Sequence, residues 1–91
     1  HVLLFVGELD AIALRNAVNL LTGKYSGYCG IFAGDDTNGY RFIVGSASKN
    51  CQELADRMRR ELSAKGGGSA PMIQGNVAAT ADVLQTMWAS L

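Results

Sequence analysis

Four cations within nine positions, Arg57, Arg59, Arg60 and Lys65, run directly into Gly66-Gly67-Gly68-Ser69. Without Cβ atoms a glycine backbone lets a ligand approach closely, and successive amide N–H groups can form a concave anion site. Lys65 adds a cation to that arrangement and Ser69 a hydroxyl, so the chemistry on offer is the seating of one or two phosphates. The same residues also have a purely structural reading. Glycines suit the end of a helix, and the cations offset its C-terminal dipole and the nearby Glu53, Asp56 and Glu61, with Arg57 and Glu61 spaced i, i+4. The spacing is not that of a P-loop, which needs a Gly-Lys-Ser/Thr ending.

Other chemistry is thinly supplied. His1 is the only histidine, so neither a Ser–His nor a Cys–His nucleophile pair can form inside the fold. Asp35 and Asp36 are adjacent; they fit a divalent-ion pair or, lacking partners, a solvated turn. Cys29 and Cys51 make no CxxC pair and no zinc set; they read as buried thiols of a cytosolic protein. No catalytic residue, metal site or cofactor is therefore expected in this chain. Tyr25, Tyr28, Tyr40 and Trp88 could stack on bases. Tyr25, beside Lys24, has the best claim to exposure; Phe5, Phe32 and Phe42 read as core, and Trp88 as packed inward or against a partner.

Eight Lys plus Arg balance eight Asp plus Glu, and 48% of the 91 residues are hydrophobic. Zero net charge excludes a non-specific nucleic-acid coat, though not a local basic face. The longest unbroken apolar run, Val2-Leu3-Leu4-Phe5-Val6, is far shorter than the roughly 20 residues of a membrane span. It reads as a strand buried on both faces. Asp10 caps a helix with Leu14, Ala17, Val18 and Leu21 inward and Gly23 at its end. Residues 28–33 and 40–44 form a hairpin about Asn38-Gly39. Asn50 opens a second helix with a Glu53 capping box and Cys51, Leu54, Ala55, Met58 and Leu62 inward. Pro71-Met72-Ile73-Gln74 is a short edge strand, Gly75-Asn76-Val77 a turn, and Thr80 caps a last helix carrying Val83, Leu84, Met87, Trp88 and Leu91. The expectation is one α/β (α+β) domain over residues 1–91. It has a small mixed sheet of about four strands and three helices, in the order β-α-β-β-α-β-α. Because the chain opens directly on a strand, it is expected to be part of a longer protein.

The segment Ala64-Lys65-Gly66-Gly67-Gly68-Ser69-Ala70-Pro71-Met72-Ile73-Gln74-Gly75 resembles the signature of the DHH-associated domain of the first type. That domain closes the alanyl-tRNA synthetases and the longer alanyl-tRNA editing proteins. The ending Gln74-Gly75-Asn76-Val77-Ala78-Ala79-Thr80 is more similar to the editing proteins. The resemblance implies a compact α/β accessory domain of a cytoplasmic hydrolase or ligase, contacting tRNA and the other domains of its parent without cutting the aminoacyl bond. Zinc would belong to the parent's separate editing domain. It further implies a nucleic-acid or phosphate site at Lys65, Gly66, Gly67, Gly68, Ser69 and Gln74, beside Arg59 and Arg60. Ser69 departs from the Arg or His usual after the glycines. The alternatives are the substrate-gripping half of a DHH phosphoesterase and an oligomerisation module whose last helix docks a second copy.

Overall fold

The computed structural model describes residues 1–91. Its first strand, β1, is Val2–Val6. Gly7 ends that run, and Asp10 then caps α1, Ala11–Thr22, its carboxylate accepting the Ala13 N–H at 2.8 Å. Strands β2, Cys29–Asp35, and β3, Gly39–Gly45, make the hairpin. Its tight turn rests on Gly39 at φ +86° and on Asp35, whose carboxylate accepts the Thr37 and Asn38 N–H groups. Helix α2 is Cys51–Leu62, strands β4 and β5 are Lys65–Gly68 and Met72–Val77, and α3 is Ala81–Ala89.

The five strands form one mixed sheet in the order β1-β2-β3-β5-β4, with β1 parallel to β2 and every other pair antiparallel. Side chains alternate across the sheet. Phe32, Phe42, Val44 and Ile73 face α2 and α3, packing with Leu54, Met58, Leu84 and Trp88. Ile31, Ala33 and Ile43 face α1, packing with Leu14 and Val18. The expected helices and hairpin are present, and there is one strand more than expected.

The differences lie at the two ends of the sheet. Val2–Val6 is not buried on both faces: it is an end strand, and Leu4 is 45% exposed. Pro71 is not in a strand but in the turn before β5, where Ser69 and Met72 exchange N–H···O bonds of 2.9 and 3.3 Å. That places β5 inside the sheet, and Gly75-Asn76-Val77 continues it instead of turning. The glycine stretch is the edge strand β4, and α2 is closed before it by Ser63 in the left-handed conformation, φ 55°. The Glu53 capping box does not form; Asn50 alone caps, accepting the Gln52 N–H at 3.0 Å.

Candidate functional site

Helix α1 packs mainly over β2 and β3 and reaches β5 only at Met72 and Gln74, so the same face of the sheet is largely bare over β5 and β4. What projects there follows from register. Tyr40, Phe42 and Val44 of β3 are core, which turns the intervening Arg41 outward onto the open face. Arg41 pairs with Asn76, and Asn76 with Lys65, so the three stand in one row across β3, β5 and β4. Neighbouring strands lie about 4.8 Å apart; an amide is thus flanked by two cations. The next row is Ile43, Gln74 and Gly67. Arg15 of α1 reaches its centre, donating to Gln74 Oε1 at 3.2 Å. Arg15, Arg41 and Lys65 are exposed and make no ion pair.

Arg41 and Asn76 of the first row and all of the second floor an open cavity of about 590 Å³, bordered also by Ala11, Gly66 and Gly68, with Lys65 and Arg15 outside its lining. Only glycine fits at two of the three positions 66–68. Gly66 and Gly68 have φ of +128° and +158°, and a Cβ on either would run into the Gln74 or Met72 carbonyl oxygen. At Gly67 a Cβ would meet nothing nearer than Arg59 at 4.0 Å, so its missing side chain keeps the cavity open without being needed by the backbone.

Beside it lies a second cavity of about 550 Å³, sharing Arg41 and Asn76 but bordered by Glu8, Asp10 and Asp35. Asp35 holds its turn, and the Asn38 backbone and side-chain N–H bonds keep its carboxyl below the usual carboxylate range. No group of three His, Cys, Asp or Glu residues is placed to hold a metal ion.

The structure brings together Lys65, Gly66, Gly67, Gly68 and Gln74 of the residues singled out in the sequence. Ser69 sits in the following turn. Arg59 and Arg60 belong to α2, on the other side of the sheet. Arg59 pairs with Asp56 and donates to Gly66 O at 3.0 Å; Arg60 Nε lies 3.4 Å from Asp56 O. Arg57 pairs with Glu61 at 2.8 Å. Glycines 66–68 form neither a nest nor a helix cap, because both readings need a loop and this is a paired strand. Arg15, Arg41 and Asn76 were not found by sequence reasoning. For Arg41 the signal was available: a lone cation alternating with Tyr40 and Phe42 must leave the core face.

No family model and no curated protein matches the chain. Among solved structures it is similar to the C-Ala domain of the alanyl-tRNA synthetase of Aquifex aeolicus, with a TM-score of 0.72 and 21% identity over 96% of this chain and 85% of that one. The likeness is one of fold.

Proposed function

We propose that this chain is a non-catalytic accessory domain that binds tRNA, within an alanyl-tRNA synthetase or alanyl-tRNA editing protein. The observation that carries the reading is the bare plate of the sheet. It has unpaired cations at Arg15, Arg41 and Lys65, amides at Gln74 and Asn76, and a glycine strand that leaves room above it. Cations contact phosphates wherever they meet them, and carboxamides can donate to and accept from sugars and base edges. The fold likeness to the C-Ala domain of an alanyl-tRNA synthetase supports the choice of RNA and of parent.

Three cations neutralise few phosphates, so the domain binds weakly alone. Its affinity in the parent comes from linkage to a second site through effective concentration. The test is a tRNA titration followed by amide chemical shifts. Shifts are expected at residues 65–68, 74–76 and 41, and Gly67→Val should abolish them while leaving the melting temperature nearly unchanged. Shifts confined to α2 and α3, or none at millimolar tRNA, would overturn the proposal.

A further inference from the structure

Beyond the plate lies the cavity of about 550 Å³ that shares Arg41 and Asn76 with it. Its volume is within the range of about 300–1,000 Å³ usual for small-ligand pockets. Gly7-Glu8-Leu9-Asp10 leaves the end of β1 and Gly34-Asp35 closes β2, the one parallel pair of the sheet. Open α/β sheets hold their ligands outside the carboxyl ends of such strands. Gly7 lines the cavity, yet a Cβ there would meet nothing within 4 Å. The fold does not require the missing side chain, and the cavity gains the room. The carboxylates on its walls differ in what they leave free. Asp35 is committed to its turn, accepting the Thr37 and Asn38 N–H groups on one oxygen and Asn38 Nδ2 on the other. Asp10 Oδ1 caps α1 through the Ala13 N–H. Glu8 alone has neither oxygen in a hydrogen bond or an ion pair. Arg41 lines the same cavity and is not paired with Glu8. One space thus holds a free pair of acceptors and a free fork of donors, set apart from each other.

We propose that this cavity holds an unpaired guanine base, bracketed by the Glu8 carboxylate and the Arg41 guanidinium. For the source of that base the proposal rests on the RNA reading: it belongs to the strand whose phosphates lie on the plate. Guanine is the base whose two edges match the two groups. Its N1–H and its N2 amino group stand side by side and donate to both oxygens of one carboxylate, while O6 and N7 accept from a guanidinium. Adenine and cytosine offer a carboxylate one amino group only. Uracil offers a single ring N–H between two carbonyl oxygens, which a carboxylate repels. Arg41 stands where the two cavities meet, and its five N–H donors suffice for a phosphate on one side and a base edge on the other.

The experiment titrates the chain with the 5′-monophosphates of guanosine, inosine, adenosine, cytidine and uridine and follows backbone amide shifts. The guanosine nucleotide should bind most tightly, with shifts at residues 7–10 and 34–38. The inosine nucleotide lacks the N2 amino group and should bind at least about fivefold more weakly, the low end of what a bidentate base contact contributes. Glu8→Gln should erase that difference; the Glu8 side chain is exposed and unbonded, so the variant folds. Glu53→Gln, on the helical side, should leave it unchanged, and so should Lys65→Ala, since Lys65 does not line this cavity. Equal affinities for the guanosine and inosine nucleotides, a difference that survives Glu8→Gln, or no shifts at residues 7–10 with any nucleotide would each overturn the proposal. A guanine preference here without tRNA shifts at residues 65–68 would overturn the RNA reading alone. Shifts there with tRNA, and no preference among the nucleotides, would overturn this proposal alone.

Discussion

Asp36 joins two parts of the chain that lie far apart in sequence. Its Oδ1 accepts the Tyr40 hydroxyl at 2.7 Å and the Ala81 N–H at 2.8 Å, so the hairpin turn helps cap α3 alongside Thr80. The Tyr40 hydroxyl bond and then the Ala81 N–H hold the Asp36 carboxyl below its ordinary range, and the same carboxylate pushes the Tyr40 phenol up to about 12. A depressed carboxyl contributes stability that is present above its ordinary value of 3.8 and lost as pH falls through the lowered one. A raised phenol contributes stability that is present below 10.0 and lost between there and about 12. Melting temperature should therefore fall at both pH extremes, and Tyr40→Phe should flatten the alkaline limb. An alkaline limb unchanged in that variant would show that the pair contributes nothing. The glycines of β4 divide in the same way. Gly66→Ala should cost about 1–3 kcal/mol in denaturant unfolding, the order of a strained backbone position, whereas Gly67→Ala should be close to neutral. Trp88 is 7% exposed and its ring fills the space left by Gly30. Trp88→Ala should cost about 3–5 kcal/mol, the range for truncating a buried aromatic. Trp88→Phe should cost much less, since the indole Nε1 has no hydrogen bond to lose.

Among the elements, α2 does two things: its Leu54, Ala55 and Met58 fill the core, and its Gln52 and Arg59 donate to the Gly68 and Gly66 carbonyls of β4. Cys51 begins its inward stripe and Cys29 lies in β2, both fully buried. Burial raises both thiols, Cys51 to about 11. Native protein should accordingly react slowly with a disulfide reagent at neutral pH and denatured protein quickly at both cysteines; fast native labelling would mean that β2 and α2 open readily. The helices were legible in the sequence because a stripe such as Cys51, Leu54, Ala55 and Met58 has only one periodic reading. The hairpin was legible because Asn38-Gly39 separates two apolar runs. Strand β4 was not, since Lys-Gly-Gly-Gly has no side chains to alternate and its pairing depends wholly on β5. Strand β5 was read as ending at Gln74 because Gly75 and Asn76 are turn residues by type. Gly75 is there because the Lys65 carbonyl passes where a Cβ would stand, a tertiary cause that no local pattern carries. For the site, the glycines and Gln74 were legible as types, whereas the row Lys65–Asn76–Arg41 exists only once the register of three strands is known.

At the scale of the whole molecule, zero net charge conceals a division between faces. The helical side carries Glu53, Asp56, Glu61 and Asp82, with Arg57 and Arg59 neutralised by ion pairs there. The bare sheet carries Arg15, Arg41 and Lys65, none of them in an ion pair, with Glu8, Asp10 and Asp35 confined to the neighbouring cavity that Arg41 borders. If RNA binds the sheet, the count of cations that matters is the local one, not the eight in the sequence. Each phosphate neutralised contributes roughly one unit or slightly less to the slope of log affinity against log salt, so the native domain should show a slope of about −2 to −3 with tRNA. Arg41→Ala and Lys65→Ala should each make it shallower by about one unit. Arg57→Ala should leave it unchanged, although that residue has the same formal charge, because its guanidinium is held on the opposite side by Glu61 and the Ser90 hydroxyl. Arg59→Ala separates the two surfaces further. It removes the bond to the Gly66 carbonyl and not a sheet-face cation, so it should keep the salt slope. The measurement is fluorescence anisotropy with labelled tRNA across a salt series. A slope that falls with Arg57→Ala or Arg59→Ala and not with Arg41→Ala would move the RNA to the helical face.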